Sequence, residues 1–258
     1  ISVTAELLES LDGAMITGCD LNTSLEDMER LTALTPHVLA AVGSPVDASA
    51  ATAHGTLGAV EAVLDAELKD AEPGRALVHG CGAVGGTVAR HLVDHGWTVF
   101  TVDLDRDKAA FPGATPLPDN CPWWELQLDL FLPCSISGLI DSEMAATLRT
   151  PAVVPAANAP FQQPQLADDL RRRGVRVLPD PLVNAGAVIA DSIERFSPNV
   201  WKDAGAQDVY AFVRDEVRQR AADYLNQRDQ GLSAGDALEE VAATPSHEPI
   251  GLSFGDSE

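Results

Sequence analysis

Ten consecutive residues give the strongest indication of the fold class: Ala76-Leu77-Val78-His79-Gly80-Cys81-Gly82-Ala83-Val84-Gly85. Their apolar start is typical of a short buried strand, and their three glycines follow the spacing G-x-G-x-x-G. Gly80 permits a tight turn after the strand, Gly82 lets the backbone approach a pyrophosphate, and Gly85 allows the next helix to pack closely on the strand. We therefore predict a dinucleotide-binding loop in which Ala83 and Val84 also contact the phosphates.

The residues after this loop complete a strand, loop, helix and strand unit. A helix is predicted over residues 87–95 and a second strand over 98–102. Asp103 follows that strand, where a carboxylate can accept hydrogen bonds from the adenosine ribose. Because residues 103–107 hold three aspartates and one arginine, they repel a 2'-phosphate, and NAD is predicted rather than NADP.

Further apolar runs alternate with amphipathic segments, which favours an α/β fold with a doubly wound, Rossmann-type parallel sheet and the helical remnant of a second domain. The additional strands and helices are predicted at 128–132, 142–148, 152–155, 164–173 and 175–178.

Three parts are predicted along the chain: residues 1–42 as the remnant of a substrate domain, 43–190 as the NAD-binding Rossmann domain, and 191–258 as C-terminal helices. We expect these last helices to pack back on the side of residues 1–42. This expectation rests on apolar side chains that share one helical face: Val209, Phe212, Val213, Val217, Ala221, Tyr224 and Leu225.

Composition narrows the function classes. The chain has 17 Lys+Arg against 39 Asp+Glu, a net charge of -22, which repels nucleic acids and anionic membranes. Its 4 cysteines form no C-x-x-C pair, so neither a metal site nor a disulfide framework is expected. With no long apolar run, the protein is expected to be soluble and cytoplasmic, with no nucleic-acid or membrane partner.

Several segments, in this order, resemble blocks of the leucine, valine and phenylalanine dehydrogenases, which are relatives of glutamate dehydrogenase. The blocks besides the glycine loop are Thr17 to Ser24, Thr52 to Gly55, Phe131 to Cys134, Val153 to Asn158 and Leu178 to Gly186. The resemblance implies reversible, NAD-dependent oxidative deamination of a branched-chain or aromatic L-amino acid to a 2-oxo acid and ammonia. It also implies a homo-oligomer.

The resemblance also implies roles for individual residues. Asp20 matches the family's catalytic aspartate, which exchanges protons with the substrate nitrogen. Gly18 and Leu182 match positions that line the substrate side-chain pocket. The residues matched to the cofactor are Thr52, Pro133, Cys134, Asn158 and Asn184. From the residues alone, Asp20 is interpreted as a loop or helix-cap residue and the two asparagines as turn formers.

The chain departs from the family pattern in its lysines. The family carries two functional lysines in a glycine-rich stretch of its N-terminal half, whereas Lys69, Lys108 and Lys202 lie in no such stretch. Because the sequence begins with Ile1, we expect an upstream segment to be missing from it. Three hypotheses stay open: an amino-acid dehydrogenase with an upstream substrate domain, a diverged or truncated member that uses another substrate, and a non-catalytic NAD-binding subunit.

Overall fold

A computed structural model describes residues 1–18, 23–39, 44–67 and 73–244. Its centre is a six-stranded sheet with the order β3-β2-β1-β4-β5-β6, and every pairing is parallel. The strands are β1 (Arg75–His79), β2 (Thr98–Val102), β3 (Ala114–Pro116), β4 (Leu130–Pro133), β5 (Ala152–Val153) and β6 (Arg176–Val177). The predicted fold class is confirmed.

Helices cover both faces of the sheet. Alternate residues of a strand point to opposite faces, so each central strand contributes apolar side chains to both helix layers. Ala76 and Val78 pack with the helices of one layer, whereas Leu77 packs with the helices of the other. The α-helices, in chain order, are α1 (Ser2–Ser10), α2 (Leu25–Thr32), α3 (Ala48–Glu67), α4 (Ala83–Asp94), α5 (Arg106–Ala109), α6 (Ser142–Thr147), α7 (Gln165–Arg172), α8 (Asp180–Val183), α9 (Gly186–Phe196), α10 (Pro198–Asp203), α11 (Ala206–Asp229) and α12 (Ala234–Ala243). A 3-10 helix spans Trp123–Glu125.

The strand order reverses between β1 and β4, which are neighbours at the centre of the sheet. The strands β2 and β3 lie on the outer side of β1, and β5 and β6 lie on the outer side of β4. Such a switch point opens a crevice at the carboxyl ends of the two strands, and ligands of doubly wound sheets bind there. His79 ends β1 and Pro133 ends β4, and the two residues are register partners. The glycine loop therefore leaves the sheet directly at this crevice.

The C-terminal helix α11 packs differently from the prediction. Its apolar face is buried, as expected, but its main neighbour is α3, and Val217, Ala221 and Tyr224 join the core beside β1 and β4. Gly58 makes this possible, because a Cβ there would lie 2.1 Å from the carbonyl oxygen of Arg214. The domain boundaries at residues 42 and 190 stay a prediction.

The first helices form a small cluster of their own, with Ala5, Leu8 and Leu31 in its centre. Ser24 and Asp27 form a capping box at the start of α2. Next to it, the backbone of Thr17 pairs with Val38 and Leu39, and the Leu39 N–H donates to the Thr17 carbonyl at 2.7 Å. In the ranges that the structure describes, no helix has the length and apolar character of a membrane span.

Candidate functional site

The glycine loop has the geometry that its spacing predicts. Gly80 has a φ of +95°, a conformation that favours glycine. A Cβ on Gly85 would lie 1.9 Å from the Gly80 carbonyl oxygen, so the loop and α4 touch through this glycine. A Cβ on Gly82 would meet nothing within 4 Å, so this glycine faces open space. The loop thus offers exposed backbone on the crevice side.

The first turn of α4 provides the donors for an anion. Gly82 is its N-cap and contributes no side-chain cap, and the first helical hydrogen bond runs from the Gly86 N–H to the Gly82 carbonyl. The N–H groups of Ala83 and Val84 lie in this uncapped turn, at the positive end of the helix dipole. Residues 80–85 therefore fit the pyrophosphate of a dinucleotide.

Asp103 lies at the end of β2, and it holds the loop in addition to its predicted role. One carboxylate oxygen accepts the Cys81 N–H at 2.6 Å and the other accepts the Asp105 N–H at 2.8 Å. Since a carboxylate has about four acceptor positions, ribose hydroxyls can still bind to it. The sequence did not indicate the contact with Cys81, because it joins residues that follow two different strands.

The loop contains one thiol, that of Cys81, and a second thiol, that of Cys134, lies beside it together with the side chain of His79. Burial raises the pKa of the Cys81 thiol to about 11 and that of Cys134 to about 12, so both stay protonated at neutral pH. The Cys134 N–H donates to the His79 carbonyl at 2.8 Å, which joins the ends of β1 and β4. His79 contacts the Ser135 hydroxyl at 2.8 Å, and burial lowers its pKa. The protonated thiols are therefore not nucleophiles, and together with His79 they support the loop.

The two predicted asparagines contact each other. The Asn184 side-chain amide donates to the Asn158 side-chain oxygen at 2.7 Å and to the Ala156 carbonyl at 3.2 Å. Asn184 ends α8, and Asn158 is exposed in the segment after β5. The structure therefore brings together two residues that are 26 positions apart, and their carboxamides form one polar group beside the carboxyl ends of the strands.

Thr52 lies against Gly186, which follows Asn184 by two residues. A Cβ on Gly186 would lie 2.7 Å from the Cα of Thr52, so the start of α9 packs directly on α3. The Thr52 hydroxyl donates to the Ala48 carbonyl at 3.0 Å. Leu182 is 5% exposed and packs in the core with Leu57. Its predicted place at the substrate pocket stays a prediction.

The last group of predicted residues lies on the segment before α2. Gly18 faces α9, and a Cβ on it would lie 3.7 Å from a carboxylate oxygen of Asp191. Burial raises the pKa of the Asp191 carboxyl. The predicted catalytic residue Asp20 lies outside the described residues, two positions after Gly18. Sequence reasoning missed Asp191; its only signal was a single acid after the apolar run 187–190.

Parallel strands in this order, a glycine loop at the switch point and an acidic residue after the second strand define a Rossmann-type dinucleotide-binding fold. Residues 104–242 match the family model described as Glutamate/Leucine/Phenylalanine/Valine dehydrogenase. The chain belongs to this family, and the resemblance stated from its sequence is confirmed.

Individual relatives agree with the family match. The L-tryptophan dehydrogenase of Nostoc punctiforme is 27% identical over 245 residues, which cover 91% of this chain and 67% of that protein. The phenylalanine dehydrogenase of Lysinibacillus sphaericus is 28% identical over 234 residues, which cover 85% of this chain and 61% of that protein. The aligned chain thus spans roughly three fifths to two thirds of the length of these relatives.

Solved structures share the fold. The crystal structure of the Nostoc punctiforme enzyme superposes with a TM-score of 0.76 at 24% identity, over 93% of this chain and 70% of that one. The hetero-hexameric glutamate dehydrogenase of Thermus thermophilus, in its Leu-bound form, gives a TM-score of 0.72 at 22% identity, over 92% of this chain and 66% of that one.

Proposed function

We propose that the protein catalyses the reversible oxidative deamination of a branched-chain or aromatic L-amino acid, with NAD as the cofactor. The observation that supports this best is the grouping at one crevice of the glycine loop, Asp103 and the Asn158–Asn184 pair. The family membership gives this crevice its chemistry. In the reaction, water replaces the amino group, so a 2-oxo acid and ammonia are released and NADH is formed with one proton.

The chain's own residues bind and orient the reactants. The backbone of Gly82, Ala83 and Val84 donates hydrogen bonds to the pyrophosphate, and Asp103 accepts hydrogen bonds from the ribose. Asn158 and Asn184 orient the reacting parts through carboxamides that do not titrate. When bound, NAD supplies the acceptor for the hydride that leaves the substrate's α-carbon.

Asp20 is proposed as the group that moves the proton. A carboxylate next to the substrate nitrogen stabilises the positive charge of the imine that forms on the substrate, and it accepts a proton from the attacking water. Its neighbour in sequence, Gly18, lies against α9, the helix that begins two residues after Asn184. This contact supports a place for Asp20 on the substrate side of the crevice.

The choice of NAD, the cytoplasmic localisation and the oligomeric state are also proposals. NAD rather than NADP is supported by Asp103 and by the other acids in residues 103–107, which would repel a 2'-phosphate. A cytoplasmic homo-oligomer is proposed from the family resemblance. Sedimentation of the purified protein gives the subunit number, and mass spectrometry shows whether one polypeptide or two are present.

The test is turnover by the full-length gene product, followed by NADH absorbance with single L-amino acids. We expect turnover with a branched-chain or aromatic substrate. Asp20→Asn keeps the shape of the side chain but cannot accept the proton, so it should lower kcat by at least about a hundredfold with NAD affinity nearly unchanged. NAD binding without turnover of any amino acid would favour the non-catalytic subunit instead.

A further inference from the structure

Asp191 is the one acid on the face of α9 that looks away from α3. On the opposite face, Gly186, Ala190 and Ile193 are buried. Val188 precedes Asp191 by one helical turn on the same outward face, and it is 66% exposed. Because α9 begins two residues after Asn184, its outward face extends from the asparagine pair towards Gly18.

The carboxylate of Asp191 lies half-buried at this place. Within the described ranges, no residue donates a hydrogen bond to it and none forms an ion pair with it. Arg195 lies four residues later on the same face, but it forms no ion pair with the Asp191 carboxylate. Burial of a charged group without a partner is unfavourable, and it raises the pKa of this carboxyl. A ligand that donates a hydrogen bond would remove this penalty.

We propose that Asp191 is a specificity residue that receives a hydrogen-bond donor at the far end of the substrate side chain. The inference rests on the proposed function, since it names the substrate class of the same crevice. Asp191 lies five residues after Gly186, the first residue of α9, which corresponds to about 7.5 Å along the helix axis. An amino acid whose α-carbon lies beside Asn184 can therefore direct its side chain along α9 towards Asp191.

This geometry separates amino acids whose side chain ends in a hydrogen-bond donor from those whose side chain has none. Tyrosine and tryptophan end in an O–H or an N–H group that satisfies the carboxylate, whereas phenylalanine and leucine leave it unpaired. An ammonium group satisfies it as well. Sites that hydrogen-bond a substrate reject analogues without the polar group more strongly than apolar pockets reject a missing methylene. We expect the donor to be favoured by at least about tenfold in kcat/KM.

The experiment compares two pairs of substrates that differ mainly in the donor: tyrosine with phenylalanine, and lysine with norleucine. Each is measured on the full-length protein, together with Asp191→Val, Asp191→Asn and the control Arg195→Gln. Wild type and the control should prefer the donor in at least one pair. Asp191→Val should lose that preference, mainly through KM, with NAD affinity unchanged. Asp191→Asn keeps an acceptor without charge, so it should keep the tyrosine preference better than the lysine preference.

Two results are distinguishable. If wild type oxidises amino acids but prefers the donor in neither pair, the role of Asp191 is refuted and the proposed deamination stands. The same holds if Asp191→Asn and Asp191→Val keep the wild-type ratios. If wild type oxidises no amino acid at all, the proposed function itself fails, and Asp191 has no substrate to select.

Discussion

Gly82 and Gly85 belong to the same loop, yet the structure predicts opposite results when each is replaced by alanine. At Gly85 the new Cβ would lie 1.9 Å from the Gly80 carbonyl oxygen and 2.8 Å from the Cβ of Cys134. Ordinary contact begins near 3.4 Å, so α4 would have to move away from the loop by about 1.5 Å. Overpacking of this kind costs about 1–3 kcal/mol or more. We expect Gly85→Ala to lose both stability and NAD binding.

At Gly82 the new Cβ meets nothing within 4 Å, and the backbone, with φ −70° and ψ −156°, suits alanine. The fold should lose less than about 1 kcal/mol, the usual cost of alanine at an N-cap. In the proposed complex, however, the methyl group occupies the space of the pyrophosphate. Loss of one hydrogen bond to a charged group costs about 1.5–3 kcal/mol, so NAD should bind about 10- to 150-fold more weakly.

Calorimetric titration with NAD and thermal unfolding of each variant separate these effects. Gly205→Ala is the matched control, because Gly205 is also an N-cap, with φ −75° and ψ 155°, but begins α11 instead of α4. It should show the small loss of stability and normal NAD affinity. Wild-type affinity in Gly82→Ala, or wild-type stability in Gly85→Ala, would show that the loop does not act as argued.

Two further predictions concern cofactor choice and pH. Asp103→Ser removes the charge that repels a 2'-phosphate, so the ratio of NAD to NADP turnover should fall; equal use of both cofactors by wild type would contradict this placement of Asp103. Burial, together with His95 and Arg214, lowers the pKa of His91 from 6.5 to about 4. Between these two pH values, His91 is therefore protonated in the unfolded chain and neutral in the folded protein. This contribution to stability is present above pH 6.5 and is lost as the pH falls towards 4, so His91→Gln should reduce the difference in unfolding free energy between pH 7 and pH 5; an unchanged difference would mean that His91 does not titrate in this way.

Local patterns were sufficient for the centre of the fold. The strand, glycine loop, helix and strand unit depends on neighbours in sequence, and its elements follow in the predicted order, although α4 begins at Ala83, four residues before the predicted start. Edge strand β3 was missed because it has only three residues and ends with Pro116. The 3-10 helix Trp123–Glu125 was likewise too short to leave a periodic signal.

Long-range partners were harder to predict. The apolar spacing of α11 shows which face is buried but not what covers it, so the packing on α3 through Gly58 came only from the structure. The same reason applies to Asp103, whose bond to the Cys81 N–H links the segments that follow β1 and β2, and to Asp191, which meets Gly18 from a distant helix. Asp20 lies outside the described residues, and its role stays a prediction.

The hydrogen bond between Asn158 and Asn184 has a thermodynamic consequence for any ligand at this crevice. The Asn184 amide donates to Asn158 at 2.7 Å, and this bond leaves the Asn158 NH2 group and the Asn184 side-chain oxygen available to a ligand. Each asparagine therefore also holds the other in the orientation in which a ligand meets it. The losses on replacing them singly by alanine would sum to more than the loss in the double variant, as is usual for residues in contact. The pair behaves as a single binding group that happens to be encoded at two places in the chain.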